Sequence, residues 1–144
     1  MPFLLFMAAA EKLVLLVEDS TDDVFFFKRE LQRAGLKNPL HAVETVEAAI
    51  NYIDGREQYA DRARFPLPSI VVLDLHLPGK DGFEFLQWLA TKPQRNLHVV
   101  VLTGVGRLQE INRAYQLGAH SFLTKPVRDE DLRNLAKAFT SVWM

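Results

Sequence analysis

The sequence predicts an α/β fold built on a parallel sheet covered on both faces, and three observations carry that prediction. Strand-like runs alternate with segments of helical period five times between Lys12 and Trp143, the pattern of βα units assembling one sheet. Runs such as Val99-Val100-Val101-Leu102 are apolar at every position, as strands packed by helices on both sides should be. Four of the runs end in polar residues, at Glu18-Asp19, Asp74, Thr103 and Lys125. In open parallel sheets the carboxyl ends of the strands form the ligand edge.

The elements follow in order. Leu13 to Val17 is the first strand. The helix after it starts near Ser20, with Ser20 and Asp23 spaced as a capping box, and stops at Gly35. A short strand around His41 to Val43 leads to Thr45, an N-cap for a helix over Val46 to Ile53 that Asp54-Gly55 closes. The charged stretch from Arg56 to Ser69 holds Pro66 and Pro68 and reads as a long surface loop. Ile70 to Leu73 is the third strand, Pro78 to Gly82 a turn, and Phe83 to Ala90 a helix ended by Lys92-Pro93. The fourth strand, Val99 to Leu102, precedes Leu108, Ile111 and Tyr115 at helical spacing, then Gly118. After the fifth strand, Ser121 to Thr124, residues Leu132, Leu135, Phe139 and Val142 lie on one seam and predict one final helix.

The 144 residues, 49% of them hydrophobic, suit one domain with its own core. Residues 1–11 read as an N-terminal tail, with Met7 as an alternative start, and residues 12–144 as the domain. The tail's apolar stretch is about half a membrane span and has no basic residues ahead of it, so neither a signal peptide nor a membrane association is expected. A formal net charge of -1 gives no global attraction for nucleic acid. With no cysteine, disulfides and thiolate chemistry are excluded, and the chain fits the cytoplasm.

Glu18, Asp19 and Asp74 would meet at the sheet's carboxyl edge. Like charges about 4 Å apart repel by roughly 4 kcal/mol per pair at an effective dielectric of about 20, so the cluster calls for a cation. A hard divalent ion such as Mg2+ takes one or two carboxylates and keeps several waters, which leaves Asp74 partly free to attack a phosphoryl group. Lys125 and the Thr103 hydroxyl would then meet the phosphoryl oxygens. Taken singly, a strand-end aspartate is usually a turn residue and a threonine there reflects β propensity. Together, at successive strand ends, they point to function.

The motifs L-V-E-D-S, V-V-L-D-L-H-L-P-G-K-D-G, V-V-V-L-T-G and S-F-L-T-K-P resemble those of the receiver domain of two-component response regulators. The resemblance runs from about Lys12 to Trp143. It implies a flavodoxin-like, doubly wound sheet of five strands in order 2-1-3-4-5 with five helices. It also implies roles: Asp74 as the aspartate phosphorylated from a phosphohistidine; Asp19, Asp74 and the backbone carbonyl of His76 as Mg2+ ligands, with Glu18 acting through water; Thr103 and Lys125 on the phosphoryl oxygens; Phe122 as the switch aromatic; and Lys125-Pro126 as a cis peptide. His76 sits where the family tunes acyl-phosphate lifetime. The long 56–69 connection and the Val142-Trp143 ending are similar to small stand-alone receivers associated with bacterial phytochromes.

Phe25, Phe26 and Phe27 cannot all share one helical face; Phe27 belongs with Val24 and Leu31 on the core side. Phe25 and Phe26 are then either partly covered by loops or a docking surface, since the resemblance puts a kinase or phosphotransfer partner against the first helix. His41, His98 and His120 have no metal-ligand spacing and read as ordinary strand or loop residues. The expected partners are a sensor histidine kinase or histidine phosphotransfer protein, with a downstream protein or a second copy of the chain as further candidates. Other functions compete with a phosphorylation switch that works without an attached output domain. A phosphate sink and an unphosphorylated scaffold share the fold. A phosphohydrolase resembling haloacid dehalogenases would need an aspartate where His76 stands, and a flavodoxin-like cofactor binder would need a phosphate loop where Glu18 to Asp23 is acidic.

Overall fold

The computed structural model describes residues 12–77, 82–92, 96–104 and 107–144. The expected tail at 1–11, most of the turn at 78–81 and the Pro93 stop lie outside the described residues. The strands are β1 (Val14–Val17), β2 (Leu40–Val43), β3 (Ile70–Asp74), β4 (His98–Thr103) and β5 (Ser121–Thr124). They are all parallel, in the order β2-β1-β3-β4-β5 that the resemblance implied. The helices are α1 (Thr21–Arg33), α2 (Val46–Asp54), α3 (Gly82–Ala90), α4 (Leu108–Gln116), α5 (Asp129–Ala138) and α6 (Thr140–Trp143). Among the described residues no helix is long and apolar enough to cross a membrane.

Period-two alternation divides the core into two layers. Leu15, Val17, Val71, Leu73, Val99 and Val101 pack with α2, α3 and Ala114 of α4, while Val14, Leu16, Ile70, Val72, Val100 and Leu102 pack with α1, α5 and Trp143. β1, β3 and β4 are buried at every position. The edge strands β2 and β5 are not, which is where the all-apolar pattern of the sequence weakens. The caps form where the sequence marks them: the Ser20 and Thr45 side chains accept from the amides of Asp23 and Ala48, and Gly55 closes α2 at φ 67°.

Two expectations change. The final seam is not one helix: Phe139, at φ -128° and ψ 53°, ends α5, and the chain restarts as the single turn α6. The turn brings Trp143 into the core, and the Phe139 ring meets that of His98 at 4.5 Å. His98 is accordingly a buried residue, with Nε2 3.2 Å from Ser121 Oγ and its ring stacked on His120 at 4.9 Å. The 56–69 connection contains a 3-10 turn at Glu57–Ala60. Its Tyr59 and Phe65 pack on Tyr52, and the Arg62 guanidinium donates to the carbonyls of Tyr52 (2.7 Å), Ile53 (2.7 Å) and Phe65 (3.2 Å). At the sheet's amino end, Asn38 Nδ2 donates to the carbonyls of Lys12 (2.8 Å) and Trp143 (3.1 Å).

Candidate functional site

β1 and β3 are adjacent and in register from Val14 and Ile70, so the residues that follow Val17 and Leu73 emerge side by side. Carboxylate oxygens of Glu18, Asp19 and Asp74 lie within 4.8 Å of one another. Glu18 and Asp74 are buried and Asp19 is exposed. The Lys125 ammonium enters from the end of β5 and donates to Glu18 Oε1 (2.6 Å), Asp74 Oδ2 (2.9 Å) and Asp23 Oδ2 (3.1 Å). The peptide after it, Lys125-Pro126, is cis, as the resemblance implied. On the opposite side, the His76 amide donates to Asp74 Oδ1 at 2.9 Å.

These contacts set the charge of the site. Burial pushes the Glu18 carboxyl up to about 7 against the pull of Lys125, and the neighbouring Asp74 adds to the rise. Burial also works against ionised Asp74, yet the His76 amide and Lys125 outweigh it, and its carboxyl is held below the usual range. For Lys125, burial is outweighed by hydrogen bonds to Glu18, Asp74 and Asp23, and the ammonium is held well above its ordinary range. Three carboxylates, of Glu18, Asp23 and Asp74, thus share one ammonium, with the Asp19 carboxylate beside them. The deepest of them, Glu18, is the one whose charged form burial disfavours despite its 2.6 Å contact with Lys125. The donor set fits a hard divalent cation: carboxylate oxygens only, one of them exposed for exchange with water, and a deficit of positive charge.

Thr103 is 1% exposed at the end of β4. Its hydroxyl donates to Glu110 Oε2 at 3.3 Å, an oxygen that also meets His76 Nε2 at 2.7 Å. Phe122 faces outward, 40% exposed, with its ring edge-on to Tyr115 at 6.3 Å. Phe25 and Phe26 are 62% and 47% exposed on α1, while Phe27 is buried. A cleft of about 460 Å3 runs from Glu18, Asp23 and Lys125 past Phe26 to Val127.

Sequence reasoning missed Asp23 as a member of the site and missed Glu110 altogether. Asp23 has the spacing of a capping-box partner for Ser20, yet its carboxylate reaches a lysine 102 positions away. Glu110 belongs to the polar side of an amphipathic helix, where a glutamate looks like any solvated residue. No short-range signal separates either from a surface acid.

The family model described as the response regulator receiver domain matches residues 14–137. Response regulator Rcp1 of Synechocystis is 30% identical over 134 residues, 92% of this chain and 89% of that protein. A manganese-bound structure of response regulator Rcp1 has a TM-score of 0.71, at 30% identity over 92% of this chain and 94% of that one. Response regulator RPA3017 of R. palustris, from red light signalling, has a TM-score of 0.80 at 31% identity, covering 92% of this chain and 94% of its own. The phosphorylated cyanobacterial phytochrome response regulator RcpA has a TM-score of 0.75 at 27% identity, covering 93% and 94%.

Proposed function

The chain belongs to the response regulator receiver domain family, and from that premise we propose that residues 12–144 form a phosphorylation switch in which Asp74 accepts a phosphoryl group from a sensor histidine kinase or a histidine phosphotransfer protein. The observation that carries the reading is the state of Asp74: a buried carboxylate kept ionised by the His76 amide at 2.9 Å and Lys125 at 2.9 Å. An ionised carboxylate is the form that attacks phosphorus. A bond forms between an Asp74 oxygen and phosphorus as the phosphorus–nitrogen bond to the donor imidazole breaks, and the bonding pair leaves with that ring.

Asp19, Asp74 and the His76 carbonyl, with Glu18 acting through water, would hold Mg2+, which when bound neutralises charge on the transferring group. Lys125 is already charged and anchored by Glu18 and Asp23, so it can turn toward the phosphoryl oxygens while two carboxylates hold its position. Thr103 would donate its hydroxyl to the phosphoryl group. Phe122, outward in this structure, would then turn in and change the face it shares with Tyr115. Driving such a switch from 1:99 to 99:1 takes about 5.5 kcal/mol. Phe26 lines the cleft and Phe25, exposed with its ring edge-on to that of Phe26, lies next to it on α1; both would meet the phosphate donor. Because RcpA and RPA3017 serve phytochrome and red light signalling, a phytochrome-linked kinase is the donor to try first.

The test is incubation with magnesium and a small phosphodonor, followed by intact-mass measurement of the wild type and Asp74→Asn. A single phosphate adduct on the wild type alone is expected. An adduct on both proteins, or on neither, would remove Asp74 from the role.

A further inference from the structure

Resting on the phosphoacceptor reading of Asp74, we propose that Glu110 is a positioning residue that latches the unphosphorylated state by occupying the Thr103 hydroxyl. A threonine hydroxyl has one proton to donate. In this structure it goes to Glu110 Oε2 at 3.3 Å, and while it does so it is not available to a phosphoryl oxygen on Asp74. The two destinations lie on neighbouring strands: Asp74 is in register with Leu102, the residue before Thr103. Phosphorylation of Asp74 therefore has to take the hydroxyl from Glu110 before the switch can move.

Glu110 is placed to feel that exchange. Its Oε2 also accepts from His76 Nε2 at 2.7 Å, and its Oε1 faces Arg107 Nη1 at 3.5 Å. His76 is two residues from Asp74, and its amide is fixed by the Asp74 carboxylate. One carboxylate thus joins the segment after the phosphoacceptor, the end of β4 and the first turn of α4. A phosphoryl group adds up to about two negative charges near neutral pH, so repulsion of Glu110 and competition for the hydroxyl act in the same direction. The same helix carries Tyr115, whose ring meets Phe122. Releasing Glu110 would loosen α4 from the site and pass the change to that exposed face without any direct contact between Asp74 and Phe122.

The experiment titrates the full chain with beryllofluoride at fixed magnesium, following the amide resonances of Thr103 and Phe122. The wild type should saturate and Asp74→Asn should not. Glu110→Ala should lower the half-saturating concentration about ten-fold, equivalent to about 1.4 kcal/mol. Its unliganded resonances should lie on the line from the wild-type free positions toward the saturated ones. Glu110→Gln, neutral but still able to accept, should fall between the two. In a Thr103→Val background, Glu110→Ala should change the half-saturating concentration by less than about two-fold.

An unchanged half-saturating concentration in Glu110→Ala and Glu110→Gln overturns the latch and leaves the phosphoacceptor reading intact. The same gain in the Thr103→Val background overturns it too, because removing a negative charge would then be sufficient explanation. Failure of the wild type to respond would sink both.

Discussion

Lowering the pH should destabilise this fold through His98. The ring is 6% exposed, its Nε2 engaged by Ser121 Oγ and its faces covered by His120 and Phe139. Burial, with a contribution from His120, lowers its pKa from 6.5 to about 4. The folded state thus resists a proton that the unfolded chain accepts. The stabilisation is complete above pH 6.5 and is lost as the pH falls toward 4. A fall from 6.5 to about 4 corresponds to about 3 kcal/mol, and roughly 2 kcal/mol of that is lost between about pH 7.5 and pH 5. Urea unfolding of the wild type and His98→Gln at these two pH values isolates the contribution, since other titrating groups are common to both. The wild type should lose about 2 kcal/mol more than the variant over the interval. Parallel losses in the two proteins would refute the argument, and so would a His98 ring that titrates near 6.5 in the folded protein.

Three further outcomes follow from the same structure. A Cβ at position 82 would stand 3.0 Å from Leu75 Cα and 3.1 Å from the Asp74 carbonyl oxygen; Gly82→Ala should cost about 1–3 kcal/mol in urea unfolding and slow phosphate uptake on Asp74. Arg62→Ala strips hydrogen bonds from three carbonyls; a loss of about 1–3 kcal/mol and faster proteolytic cleavage within 56–69 are expected. Magnesium at about ten times its dissociation constant should stabilise the wild type by about 1.4 kcal/mol, read as a rise in thermal midpoint that a chelator reverses and that Asp19→Asn diminishes. No rise in the wild type would count against the acidic cluster as a cation site.

Much of this was legible because the information is local. Caps at Ser20 and Thr45 and the stop at Gly55 act within one turn of the chain, and the uninterrupted apolar runs of β3 and β4 announce their burial directly. The strand-end residues were readable for a further reason: once the sheet is parallel, the position of each along its own strand is enough to bring them to one edge. What escaped was set by partners far away in sequence or by a break that preserves the pattern. The seam of Leu135, Phe139 and Val142 keeps its spacing across the change of direction at Phe139, so hydrophobic period alone could not locate the break. Arg62 looked like one charged loop residue among several, and only the carbonyls at the end of α2 distinguish it. Asp23 and Glu110 read as solvated helix residues because nothing near them in sequence requires their carboxylates.

The Asn38 amide, which holds the carbonyls of Lys12 and Trp143 together, also fixes where the domain can be handled. Both residues lie beyond the amino ends of the strands, and a four-residue strand such as β1 separates them from the phosphorylation edge by roughly 13 Å. A fluorescent protein, an affinity handle or a tether to a surface joined through either residue would leave from the side opposite Asp74. The nearness of the two residues also suits a circular permutation in which a short linker joins them and new termini open in the 56–69 connection, leaving the acidic edge and the Phe122 face as they are.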